Sequence, residues 1–185
     1  MRLFFAIELA PEVVDRVLSV RDRLASAIGG DGVRWVQKAQ IHLTLAFLGE
    51  QSEERARVAI EAARPIAAAH ARFELSVGGL GAFPDDAHPR VLFLGIAGEG
   101  TAPLVALATE LTGSLTAAGF TLDSREFHPH VTLARVDRGS AAKKVSRLVG
   151  EGGFDSLGVS VIDRLALLES RPDPSYVKLE ELPLH

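Results

Sequence analysis

Two stretches of the chain, IHLTLAFLG at 41–49 and FHPHVTLAR at 127–135, share one order of residues: histidine, apolar, threonine, leucine, alanine. On an extended strand, side chains at i and i+2 share a face. His42 therefore points with Thr44 and His130 with Thr132, while Leu43, Leu45, Val131 and Leu133 turn to the opposite face. One such string is an ordinary exposed strand face. Its recurrence 88 positions later (130 − 42), between helical patterns both times, requires a chain that builds one α+β unit twice.

The flanking patterns supply those units. LFFAIEL (3–9) reads as a buried strand, and Pro11 opens a helix carrying Val13, Val14, Val17, Leu18, Val20, Leu24 and Ile28 at helical spacing until Gly29 and Gly30 stop it. A helix starts at Ser52, with Glu53 and Glu54 in its first turn, and Pro65 is expected to kink or split it. RFELSVGG and PRVLFLGIA are strands, followed by a helix over about 102–118, the strand HPHVTLARV and a helix from Ser140. FDSLGVSVI, RLALLES and SYVKLEEL close the chain as strands. Each unit is expected to contribute a sheet, and two similar sheets related by an approximate two-fold would line one groove.

Composition narrows the classes. A chain of 185 residues, 47% apolar, suits one domain or two half-size lobes sharing a core. Without cysteine there is no disulfide framework, thiolate nucleophile or cysteine-ligated zinc, and a reducing compartment, the cytoplasm, is expected. In MRLFFAIELAPE, Glu8 interrupts the apolar run before a signal-peptide core or a membrane span is complete, so no membrane partner is expected. A net charge of −4 argues against an extended basic surface tracking nucleic acid. Between 125 and 147, however, six cations (Arg125, Arg135, Arg138, Lys143, Lys144, Arg147) face two anions (Glu126, Asp137), and this excess surrounds the second motif.

Imidazole titrates near pH ~6.5, so of two histidines in one groove one can accept a proton while the other donates. Threonine hydroxyls can donate to a ligand anion, and Arg135 adds a permanent charge with a planar fork suited to two phosphate oxygens. An acid, a base, two hydroxyls and an arginine, with no clear nucleophile, suit in-line displacement at a phosphodiester.

His42-Leu-Thr44-Leu-Ala-Phe47 and His130-Val-Thr132-Leu-Ala-Arg135 resemble the paired HxTxxF and HxTxxR motifs of the two-histidine (2H) phosphoesterases, in particular the bacterial RNA 2′,3′-cyclic phosphodiesterases, also called 2′-5′ RNA ligase-like proteins. The opening RLFFAIEL, the RWV before the first motif and the length fit as well, so the resemblance spans nearly the whole chain. It implies an α+β fold of two pseudo-symmetric lobes, with antiparallel sheets flanking a central groove and helices outside, formed by residues 1–185 as a single domain of two duplicated lobes. It also implies hydrolysis of an RNA 2′,3′-cyclic phosphate end to a 2′-phosphate by a monomer using neither metal nor cofactor. By motif position His42 would be the general acid protonating the departing O3′, and His130 the base activating water. Thr44 and Thr132 would bond phosphate oxygens, Arg135 would clamp the phosphate, and Phe47 would stack on the terminal base. Phe47 and Arg135 lie five residues after their histidines, on the wrong face by strict alternation, so each strand must twist, bulge or end there, placing both at the groove rim.

Alternative functions are joining tRNA halves through a 2′-5′ linkage, opening a small cyclic nucleotide, or non-catalytic binding of a nucleotide or RNA end. His128 shares a face with His130 and with His42 could form a three-histidine metal set, but these motifs bring no carboxylate, and Pro129 makes His128 a residue at the strand start near the groove. His70, His88 and His185 are expected to be solvated, and Trp35 to pack in the core. The glycines of VGGLGAFP make neither a phosphate-binding loop nor a dinucleotide fingerprint.

Overall fold

A computed structural model describes residues 1–123 and 125–185. The order is β1 (Arg2–Ile7), α1 (Pro11–Ile28), β2 (Val33–Trp35), a 3₁₀ turn (Lys38–Gln40), β3 (Leu43–Glu50), α2 (Glu53–Ala69), β4 (Phe73–Phe83), β5 (Val91–Ala97), α3 (Thr101–Ala117), β6 (His130–Val136), α4 (Ser140–Glu151), β7 (Val159–Ile162), β8 (Arg164–Ser170) and β9 (Tyr176–Pro183). One sheet has the order β3-β1-β8-β9 and the other β2-β6-β5-β4-β7, with every pairing antiparallel. No helix among the described residues is long and apolar enough to cross a membrane.

The helices follow their sequence signals. α1 buries Val13, Val14, Val17, Val20, Leu24 and Ile28 on one face, and Gly29 turns the chain at a φ of 90°. In α2 the Ser52 side chain accepts from the Arg55 N–H at 3.2 Å. Pro65 does not split this helix: it sits on the exposed side, where a carbonyl left without its N–H partner can bond water. The buried Ala56, Ala59, Ala63 and Ala67 lie opposite, and α2 packs on α3. The backs of the sheets and the helices share one core, to which β1 gives Leu3, Phe5 and Ile7, β3 gives Leu43 and Leu45, and β6 gives Val131 and Leu133.

The expectation that each half of the chain supplies its own sheet is not met. β2 leaves the first half to pair with β6, β4 leaves it to pair with β7, and β8–β9 return from the second half to cover β1. Within that interleaving the two motif strands keep equivalent registers. Thr44 faces Ala6 and Ala46 faces Phe5; Thr132 faces Phe93 and Ala134 faces Leu92. Both ladders skip one residue, Leu45 and Leu133, so each carries a bulge at the equivalent place.

Candidate active site

The bulges decide which side chains meet. Leu45 and Ala46 are both buried, as are Leu133 and Ala134, so the alternation shifts by one residue in each strand. Phe47 then returns to the face of His42 and Thr44, and Arg135 to that of His130 and Thr132. Phe47 is 59% exposed and Arg135 is exposed; neither lies in the helix-packed core. His42 immediately precedes β3, His130 is the first residue of β6, and these two strands, from different sheets, lie in contact.

Each imidazole sits against an aromatic wall that sequence reading did not single out. The His42 ring lies 5.1 Å from Phe4 and 5.1 Å, edge-on, from Tyr176; Phe4 in turn lies 5.7 Å from Phe47. Phe4, Ala6, Ala166 and Leu168 form a small apolar cluster separate from the main core, with Tyr176 packed against it. On the other wall the His130 ring is 4.9 Å from Phe83 and 5.4 Å from Phe93, which stack on each other at 4.3 Å. Gly81 makes room for that stack, since a Cβ there would stand 2.6 Å from the Phe93 ring. A glycine inside a strand is a sequence signal for such a close approach.

Hydrogen bonds give the two rings different proton placements. His130 Nδ1 is 2.6 Å from the His128 carbonyl, which can only accept, so Nδ1 carries the proton and Nε2 of the neutral ring is a free base. His42 Nε2 is 3.1 Å from Thr44 Oγ1, whereas its Nδ1 is buried without a partner. With the proton on Nε2 only a lone pair is orphaned, a lesser cost than a buried unpaired N–H. Burial, reinforced by the charge of His130, pushes the His42 pKa down to about 4. Burial also lowers that of His130, opposed by the bond to the His128 carbonyl.

The depressed His42 pKa has a consequence for folding. Unfolded, this residue takes up its proton near pH ~6.5; folded, it resists until about pH 4. Between those values the unfolded chain binds more protons, so stability is complete above pH ~6.5 and falls as the pH drops toward about 4. His42→Asn should remove this contribution, so that urea midpoints fall less steeply with acid than in the parent protein. An unchanged slope would contradict the burial of this imidazole.

The other candidate residues separate. His128 contributes its carbonyl, and its side chain is 63% exposed; among the described residues no group of three or more acidic or histidine side chains is arranged to hold a metal ion. Trp35 packs against the core and donates to the Gly29 carbonyl at 3.3 Å. His88 is exposed in its loop beside Asp85. His70 departs from the solvated position expected of it: its side chain is only 12% exposed and meets Glu110 at 3.1 Å, and its backbone carbonyl accepts from the His185 N–H. Of the cations around the second motif, Arg125 pairs with Asp123, and Lys144 donates to the Ile28 carbonyl at the end of α1. Among the six, Arg135 alone shares the histidine face of β6.

Comparison with known proteins agrees with this geometry. The profile of the 2′-5′ RNA ligase superfamily matches residues 12–174. The RNA 2′,3′-cyclic phosphodiesterase of Aeropyrum pernix is 34% identical over 174 residues, covering 92% of this chain and 96% of that protein. Among solved structures, TT0787 of Thermus thermophilus superposes with a TM-score of 0.79 at 27% identity, covering 100% of this chain and 98% of that one. E. coli LigT complexed with 3′-AMP gives 0.77 at 27% identity, covering 99% and 97%. With motif order, duplicated register and whole-chain similarity in agreement, the chain belongs to the 2′-5′ RNA ligase superfamily, the two-histidine phosphoesterases.

Proposed function

We propose that this chain is an RNA 2′,3′-cyclic phosphodiesterase that opens the terminal cyclic phosphate to a 2′-phosphate by paired histidine acid–base catalysis. The observation that carries the reading is the different setting of the two rings: His42 Nε2 lies 3.1 Å from Thr44 Oγ1, whereas His130 Nδ1 is held by the His128 carbonyl, which leaves Nε2 of that ring with its lone pair. His130, neutral, takes a proton from water as it attacks phosphorus, and His42, as the imidazolium, delivers its Nε2 proton to the departing O3′ and becomes neutral. Thr44 and Thr132 donate to phosphate oxygens, Arg135 stabilises the charge gathering on them, and Phe47 offers a face to the terminal base. The relatives named RNA 2′,3′-cyclic phosphodiesterase and the 3′-AMP complex of LigT support a nucleotide end as the ligand. We read residues 1–185 as one domain of two duplicated lobes, supported by the matched bulges, and acting as a monomer in the cytoplasm. RNA fragments such as cleaved tRNA are the substrates this reading favours.

Incubation with an oligoribonucleotide ending in a 2′,3′-cyclic phosphate, in chelator, should yield a 2′-phosphate end. A 3′-phosphate product, or activity lost in chelator and restored by zinc or manganese, would overturn the reading. A 2′-5′ joined product on adding a 5′-hydroxyl strand would extend it, because a ribose hydroxyl can replace water before His130.

The pH profile tests the same assignment. With His42 near 4 and His130 lowered, the free enzyme holds both rings neutral at pH ~7, and the form with one proton grows as pH falls. The kcat/KM bell should therefore peak below pH ~6.5, its limbs belonging to the pair. A bound phosphate anion beside His42 favours its cationic form, so the kcat bell should lie at higher pH. Coincident bells would show that phosphate does not sit against this ring.

A further inference from the structure

The two sheets match strand for strand except at one place. β3-β1-β8-β9 corresponds to β6-β5-β4-β7, and β2 is the additional strand, laid on the edge of β6 with no counterpart beside β3. It is three residues long, and two of them are committed to the core: Val33 is 6% exposed, and Trp35 packs against the same cluster. The residue between them, Arg34, must point to the opposite face. There it lies directly across from Arg135 in the β2–β6 register.

Two guanidinium groups in that relation repel, because directly opposed side chains start only ~5 Å apart at Cβ. Among the described residues, the one carboxylate within ion-pair distance of either is Asp137, 3.8 Å from Arg34, and both partners are well exposed, at 74% and 59%. An exposed contact of that length offsets little of the repulsion. The position equivalent to Arg135 in the other ladder is Phe47. One rim of the groove is thus aromatic and the other holds two cations, of which only Arg34 meets an anion, and that one loosely. Arg135 is already assigned to the phosphate being opened. Arg34 stands one strand further out, a spacing of ~4.8 Å, so the pair offers two anion-binding forks side by side on one face.

We propose that Arg34 binds the internucleotide phosphate adjoining the cyclic end, so that the enzyme prefers oligoribonucleotide ends to mononucleotide cyclic phosphates; this rests on the RNA-end reading given above. The contact is charge-assisted, and losing it should cost about tenfold.

The test compares three substrates: a nucleoside 2′,3′-cyclic monophosphate, a dinucleotide with a 2′,3′-cyclic end, and that dinucleotide with an uncharged methylphosphonate linkage. Arg34→Ala and Arg34→Gln should each lower kcat/KM about tenfold on the charged dinucleotide, to the level of the methylphosphonate. Turnover of the mononucleotide should stay within about twofold, and the salt slope for the dinucleotide should shrink by about one. Equal losses on mononucleotide and dinucleotide would overturn the proposal, since Arg34 would then serve the scissile phosphate or the fold. Loss on neither would overturn it as well, leaving Arg34 a surface partner of Asp137. Titration with the same dinucleotides ending in a 3′-phosphate separates this claim from the catalytic one. Weaker binding of the charged linkage alone in the Arg34 variants supports the site even if the parent protein fails to open cyclic phosphates; unchanged binding overturns it.

Discussion

Replacing His130 with alanine is expected to lower kcat/KM on an RNA 2′,3′-cyclic phosphate end by roughly 10²–10⁴-fold, and replacing His42 to do the same, the usual range for a lost general acid or base. The losses differ in origin. Without His130 the Nε2 lone pair set by the His128 carbonyl is lost, and with it the proposed acceptor for the proton of the attacking water. Without His42 the departing oxygen leaves unprotonated, and the space among Phe4 and Tyr176 opens to solvent. With both groups acting in one displacement, as proposed, the double variant should be little worse than the poorer single one, far short of the product of the two losses. Thermal unfolding of each variant near the parent temperature keeps the result a statement about chemistry. If either single variant keeps within tenfold of parent activity, the division of labour fails. If the double variant multiplies the two losses, the rings act in separate steps.

The sites of strands and helices were legible because their cues are local. Pro11, Ser52 and the Gly29–Gly30 pair mark helix ends through backbone chemistry independent of the rest of the fold. An irregularity was legible as a conflict: Phe47 and Arg135 stand an odd number of residues after their histidines, so each strand had to twist, bulge or end there, and the register shows that it bulges. Sheet membership was not legible. Periodicity fixes which face of a strand is buried but says nothing about which neighbour it pairs with, so the crossings of β2, β4, β8 and β9 carried no sequence mark. The aromatic walls were hidden for a related reason. Phe4 and Phe5 are adjacent, both buried and alike in composition, yet one faces His42 and the other the helices. Only the strand phase separates them. Pro65 shows the limit of propensity, since an exposed proline can be tolerated by a helix whose opposite side is held in the core.

The second large effect concerns Arg135. Arg135→Ala should reduce kcat by about 10²–10³-fold, the loss typical when one donor to a developing oxyanion is removed. Arg135→Lys should recover only part of it, because an ammonium restores the charge without the planar fork that holds two oxygens at once. Stability should be nearly untouched by either change: the side chain is exposed and, among the described residues, forms no ion pair within the protein, so the fold does not depend on it. Activity and stability should therefore separate here more cleanly than at the histidines, which are packed among aromatic rings. Full activity in the lysine variant would mean that a point charge is enough and that the geometry of the fork is irrelevant. Near-parent activity in the alanine variant would mean that the bulge at Leu133, which turns Arg135 toward the histidine face, delivers it to something other than the phosphate being opened.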